Sequence, residues 1–142
     1  MIKMLHSVWA WVILAAVLIG FINALVGLMT GKPFINKDKT LSLLGLITGH
    51  VQLLFGLGVY FVSAGYHAMK AEGMGHVMKD SAMRNQVVEH PLTMIIAIIL
   101  ITIGFSKHKT KSTASAKFKT IVIFYGIALL LILAKIPWGD WI

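Results

Sequence analysis

The sequence predicts an all-α protein, a bundle of four membrane-crossing helices with a short interfacial helix between the second and third. Three observations predict it. Of 142 residues, 58% are hydrophobic and 13% charged, with a mean hydropathy of +0.84, whereas roughly a quarter of the residues in soluble domains are charged. Four apolar stretches each come close to the roughly 20 residues that a helix needs to cross hydrocarbon. The lysines, which give a formal charge of +8, gather in short segments beside those stretches, where basic residues set membrane orientation. Residues 1–142 read as one domain, because four spans leave no length for a second.

The first span covers residues 8–29, "VWAWVILAAVLIGFINALVGLM", without a charge and with Asn23 as its interior polar group. It is too long for the apolar core of a signal peptide and is expected to be retained. Trp9 and Trp11 are expected to anchor it at an interface. The connector "TGKPFINKDKT" is rich in turn formers and ends the span.

The second span, residues 41–62, carries Gly45 and Gly49 at a spacing that continues through Gln52 and Gly56, and small residues so placed let helices approach closely. The connector that follows, residues 63–88, mixes Met, Lys and Glu and is expected to lie in the interface as one short helix. The third span, residues 87–105, begins with Pro91 in its first turn, where a missing amide proton costs nothing. A basic loop, "SKHKTKSTASAKFK", is expected to set topology and to touch anionic lipid. The fourth span, residues 120–138, has fifteen uncharged residues between Lys119 and Lys135. Both lysines are expected to snorkel outward, with Trp138 and Trp141 as anchors.

Orientation follows from the basic residues. One side holds Lys32, Lys37, Lys39, Lys107, Lys109, Lys111, Lys117 and Lys119; the other holds Lys3, Lys70, Lys79, Arg84 and Lys135. The richer side is expected in the cytoplasm, so both termini and the second connector face away from it. Asp38 is the one acid on the inner side, and Glu72, Asp80, Glu89 and Asp140 belong to the outer.

The absence of cysteine excludes thiolate metal sites, iron–sulfur clusters and cysteine nucleophiles. Histidine is left to carry chemistry. His6 opens span one and His90 opens span three; these spans run in the same direction, so the two imidazoles share a depth. That is what one heme gripped between two helices requires. Room for it is expected along Ala10, Ile13, Ala16, Gly20 and Asn23 below His6, and along Thr93, Met94, Ala97, Ile101 and Gly104 below His90. Glu89 has two readings: a carboxylate bonded to a histidine ring or offsetting the charge of oxidised heme, or an anion complementing a helix start with Arg84 as counter-charge.

His50 lies roughly 14 Å up its helix from Leu41 at 1.5 Å per residue, too deep to share a metal with His90. With Gln52, Asn23 and Tyr125 it is a candidate for interhelical hydrogen bonds or for a polar lining around a quinone headgroup or protons. His108, in the lysine loop, is expected to be solvated. A weaker alternative is copper, through His67, Met69, Met74, His76 and Met78, donors suited to copper(I) but without a tight metal spacing. The chain has no phosphate-cradling glycine loop, no nucleophile elbow and no His-Glu-x-x-His motif.

The segments "MLHSVWAW", "GHVQLLFGLGVYF", "VEHPLTMIIAIILITIGFSKHK" and "FKTIVIFYGIALLLILAKIPW" resemble small bacterial four-helix membrane proteins labelled cytochrome b-like, whose function is unassigned. The ligand layout also looks like four-helix cytochrome b modules and one half of heme A synthase. The resemblance implies a bacterial inner-membrane protein with His6 and His90 as the axial pair of a single b-type heme and Glu89 as an acid supporting the ligands. A second histidine pair is missing. The expected function is one-electron transfer, with quinone as a possible reactant and a membrane or periplasmic redox protein or larger complex as partner. The alternatives are an accessory subunit docking through small-residue helix faces, and copper handling. No nucleic-acid partner and no bond-making enzyme is implied.

Overall fold

The computed structural model describes residues 1–138, so Asp140 and the expected anchor Trp141 lie outside the described residues. Four long helices dominate: α1 (Ile2–Thr30), α2 (Asn36–Val62), α6 (His90–His108) and α7 (Ala114–Lys135). Three short helices stand between α2 and α6, namely α3 (Ala64–Glu72), α4 (Met74–Lys79) and α5 (Ser81–Arg84). No strand occurs among the described residues. Four stretches, Ile2–Thr30, Asn36–Val62, Ser81–His108 and Ala114–Lys135, are long and apolar enough to cross a membrane.

The chain runs up and down, and α1 packs on α2 and α7 while α6 packs on α7 and α2. Therefore α1 and α6 occupy a diagonal of the bundle and run parallel. The α2–α6 seam is the sparsest of the four contacts. Its looseness traces to α2, whose buried positions Asp38, Ser42, Gly45, Thr48 and Gly49 are all small or polar. The bulk of the core comes from Ile13 and Val17 of α1, Ile98 and Ile101 of α6, and Phe118, Ile121 and Tyr125 of α7. Leu18, Ile19, Leu54, Ile99 and Leu130 are turned outward, an apolar surface that water would penalise.

Close approach depends on missing side chains. A Cβ on Gly27 would stand 2.5 Å from Cζ of Phe118, and one on Gly104 would stand 2.5 Å from Cβ of Phe124. Gly31 ends α1 at φ +67, sending its N–H back to the carbonyl of Gly27 at 3.0 Å. That left-handed turn favours glycine.

Several sequence expectations change. The second connector forms three helices where one was expected. Gly73 at φ +90 breaks α3 from α4, and the Asp80 carboxylate caps α5 by accepting from the amides of Ala82 and Met83. Val77 of α4 is wholly buried, and α4 packs on α3 and α5. Trp9 is a cross-brace as well as a ring near one end: its indole N–H donates to the carbonyl of Thr48 at 2.9 Å.

Two groups placed in the lysine-rich connectors, of which His108 was expected to be solvated, lie inside. His108 is 1% exposed, donates from Nδ1 to the carbonyl of Phe105, and packs on the rings of Phe34 and Phe105. Asp38, assigned to a loop, is fully buried and accepts from Asn23 Nδ2, Lys32 Nζ and the amide of Ile35, each at 2.9 Å. Its carboxylate lashes the end of α1 to the start of α2.

Candidate functional site

The end of the bundle that holds the N-terminus and the second connector is hollow. A cavity of about 670 Å³, within the range of small-molecule sites, lies beside α5 and the start of α6, and both His6 and His90 line it. Most of the remaining wall is apolar, with Ile13, Leu53, Met94 and Ile132 among its members, and Gln52 is one of the few polar groups. Leu57 and Phe61 of α2 and Leu92 and Ile95 of α6 line the cavity and are also solvent-accessible. The cavity therefore reaches the exterior at the sparse α2–α6 seam.

The backbone before His90 is unusual. Residues Asn85–Glu89 form a π-turn, with the amide of His90 bonded to the carbonyl of Asn85. Pro91 brings no amide proton to the helical ladder, and the wider π register runs up to it. Such turns recur at functional sites. Gln86 in this turn accepts from the amide of Gly65 at 2.6 Å, tying α3 to the start of α6.

The imidazoles of His6 and His90 meet across the bundle with ring centroids 6.3 Å apart and planes at 83°. Two imidazoles on opposite sides of one metal, with metal–nitrogen bonds of about 2 Å, place their centroids about 6 Å apart. His90 donates from Nδ1 to the carbonyl of Lys135 at 2.9 Å. That bond fixes the tautomer and leaves Nε2 with its lone pair. The His6 ring lies against Gly56, where a Cβ would come 3.4 Å from its Cε1. Its Nδ1 is buried without a hydrogen-bond partner, and so is Oε1 of Gln52, whose Nε2 donates to the backbone carbonyl of His6 at 2.9 Å. Buried polar atoms ordinarily have partners. The donor set of two imidazoles, the two orphaned atoms and the volume fit a flat, mostly apolar metallocofactor of heme's class.

Other expected site residues are placed differently. Glu89 binds no histidine. Its Oε2 accepts from Arg84 Nε at 2.9 Å and its Oε1 lies 3.6 Å from Lys135 Nζ, the helix-start arrangement with an additional cation. Thr93 and Glu89 do not line the cavity. His50 points outward from α2, donating from Nδ1 to the carbonyl of Leu46 at 2.8 Å. It does not join Gln52, Asn23 and Tyr125, each of which has its own bond: Asn23 to Asp38, and Tyr125 to the carbonyl of Ser42 at 2.6 Å. In the connector His76 pairs with Glu72 at 2.8 Å, and His67, Met74 and Met78 are exposed while Met69 is half-buried. No three His, Asp or Glu side chains among the described residues form a metal-holding group.

Sequence reading missed Lys135 as the partner of both Glu89 and His90. The only available signal was position, since Lys135 ends span four at the depth where spans one and three begin. Comparison with known proteins adds nothing to this geometry: the chain matches no protein-family model, no curated protein and no solved structure.

Proposed function

We propose that the chain is a multi-pass protein of the bacterial inner membrane, with both termini outside the cytoplasm, in which His6 and His90 hold one b-type heme for single-electron transfer. The carrying observation is the pair of imidazoles 6.3 Å apart, brought from diagonal helices to one apolar cavity. The resemblance to cytochrome b-like proteins points the same way.

A heme held by His6 and His90 would supply one-electron exchange. The chain's own groups do the rest. Lys135 orients His90 through its carbonyl, and the Gln52 carboxamide oxygen, itself unpaired, would accept from His6 Nδ1–H once the site is filled. The apolar wall excludes water, which raises the influence of each remaining dipole on the potential. Glu89, balanced by Arg84 and Lys135, places fixed charges at the outer rim. The seam flanked by Leu57, Phe61, Leu92 and Ile95 gives a bilayer-soluble quinone an apolar approach; a membrane or periplasmic redox protein would meet the capped outer end.

One observation favours the accessory-subunit reading. His50 is exposed on the apolar face of α2, and an imidazole at that depth gains from a neighbouring helix that supplies a polar partner. Small-residue faces built on Gly20, Gly27, Gly45, Gly49 and Gly104 do not serve such docking, because these glycines are buried within this bundle.

A reduced-minus-oxidised spectrum of the purified protein tests the proposal. Sharp α and Soret bands that disappear in His90→Ala and persist in His50→Ala are expected. Featureless spectra refute the heme, and copurifying large subunits in that case favour the accessory reading.

A further inference from the structure

We propose that the inner end of the bundle carries a binding site for the phosphate of an anionic phospholipid, built by Lys39, Lys109 and Lys117 around His108. This site stands at the opposite end from the histidine cavity. It rests on the membrane placement proposed above and not on heme.

These three lysines come from three elements: the first turn of α2, the end of α6 and the start of α7. They line one open pocket of about 590 Å³ together with Phe34, Ile35 and His108. All three lie within electrostatic reach of the His108 ring. Aromatic faces hold two of them in place, with Lys109 Nζ 4.6 Å from the Phe105 centroid and Lys117 Nζ 5.5 Å from that of Phe34. They converge without a carboxylate. Asp38 is the one acid on this side, and its oxygens are taken by Lys32, Asn23 and the amide of Ile35 deep in the protein. Among the described residues, the ion pairs of the chain use Lys32, His76, Arg84 and Lys135 only.

Three like charges around one concavity repel each other, and an anion seated among them reverses the sign of that interaction. A tetrahedral phosphate suits ammonium groups, which bind it as point charges from several directions. The start of α2 adds its positive end. What selects a lipid over a free ion is the rim: Ile35 is 52% exposed beside the lysines, an apolar surface that only an amphiphile would cover.

The test is thermal unfolding of the whole protein in phosphatidylcholine-containing detergent micelles, titrated with phosphatidylglycerol or with inorganic phosphate. Two triple variants are compared, K39Q/K109Q/K117Q in the pocket and K37Q/K111Q/K119Q outside it, which remove the same charge. Unfolding without added ligand checks that each folds, and the single variant K109Q serves if the pocket triple does not. Phosphatidylglycerol should raise the unfolding temperature of the wild type and of the outer triple. Its apparent affinity should fall about fivefold per pocket lysine, on the order of a hundredfold for the pocket triple. Equal loss in both triples, or no response in the wild type, overturns the site. A response to inorganic phosphate equal to that for the lipid overturns the lipid as its occupant.

Discussion

His90 donates its Nδ1 proton to the backbone carbonyl of Lys135 at 2.9 Å. This joins the first turn of α6 to the last turn of α7, where helix carbonyls lack amide partners. One bond satisfies an orphan acceptor and sets the imidazole's tautomer. The Lys135 ammonium meanwhile faces Glu89 at 3.6 Å, so a single residue supports the histidine with its backbone and the neighbouring acid with its side chain.

Gly56 should govern the site by its size. Its missing side chain leaves the His6 ring its place, with a virtual Cβ 3.4 Å from Cε1. Gly56→Ala is expected to be tolerated after a shift of a few tenths of an ångström, whereas the branched side chain of Gly56→Val displaces the ring. Absorbance at the Soret band per protein should be near wild type in the first variant and lost in the second. Equal retention in both would show that His6 is not held there.

Gln52 is the acceptor proposed for His6. Gln52→Leu removes the proposed acceptor together with the bond that Nε2 donates to the His6 carbonyl; a buried hydrogen bond is worth about 1 kcal/mol net, or roughly 40 mV each for a one-electron couple. A redox titration should show a shift of that size with heme content preserved. An unchanged potential would mean that the two orphaned atoms do not pair.

Gly27→Ala should destabilise the bundle without touching the histidines. The new methyl would meet the Phe118 ring at 2.5 to 2.7 Å, and overpacking of this kind costs about 1–3 kcal/mol. Gly75→Ala, with nothing within 4 Å of its virtual Cβ, is the comparison. Thermal unfolding in detergent should show a lower midpoint for the first and none of that loss for the second.

How much of this was legible in the sequence depends on how local each signal is. The four long helices follow from apolar runs that no other fold accommodates, and the common depth of His6 and His90 follows from counting spans. The facing direction of His50 did not follow, since α2 is apolar nearly all round and its pattern does not reveal which side turns inward. His108 looked solvated because its sequence neighbours are lysines, and Asp38 read as a connector residue for the same reason. Their burial comes from partners distant in sequence, Asn23 for the first and Phe34 for the second. A local cue did exist for Asp38, three residues after Ile35, whose amide it accepts in the manner of a capping box. The π-turn and the split connector depend on Pro91, Gly73 and Asp80 acting at single positions inside segments that otherwise read as continuous.

Topology can be read directly, because the chain has no cysteine and any introduced thiol is unique. Ala71→Cys in α3 should react with a membrane-impermeant maleimide in intact spheroplasts. Ser112→Cys, in the loop between α6 and α7, should react only after the membrane is opened. The reverse pattern would invert the proposed orientation.

Electron paramagnetic resonance of the oxidised protein is the most direct test of whether His6 and His90 grip one iron. Imidazole planes at 83° should give a six-coordinate, low-spin ferric signal with strong g anisotropy, and His6→Ala or His90→Ala alone should each convert it to a high-spin form or abolish it. A wild-type protein without a ferric heme signal, or a low-spin signal that survives both substitutions, would contradict the shared iron.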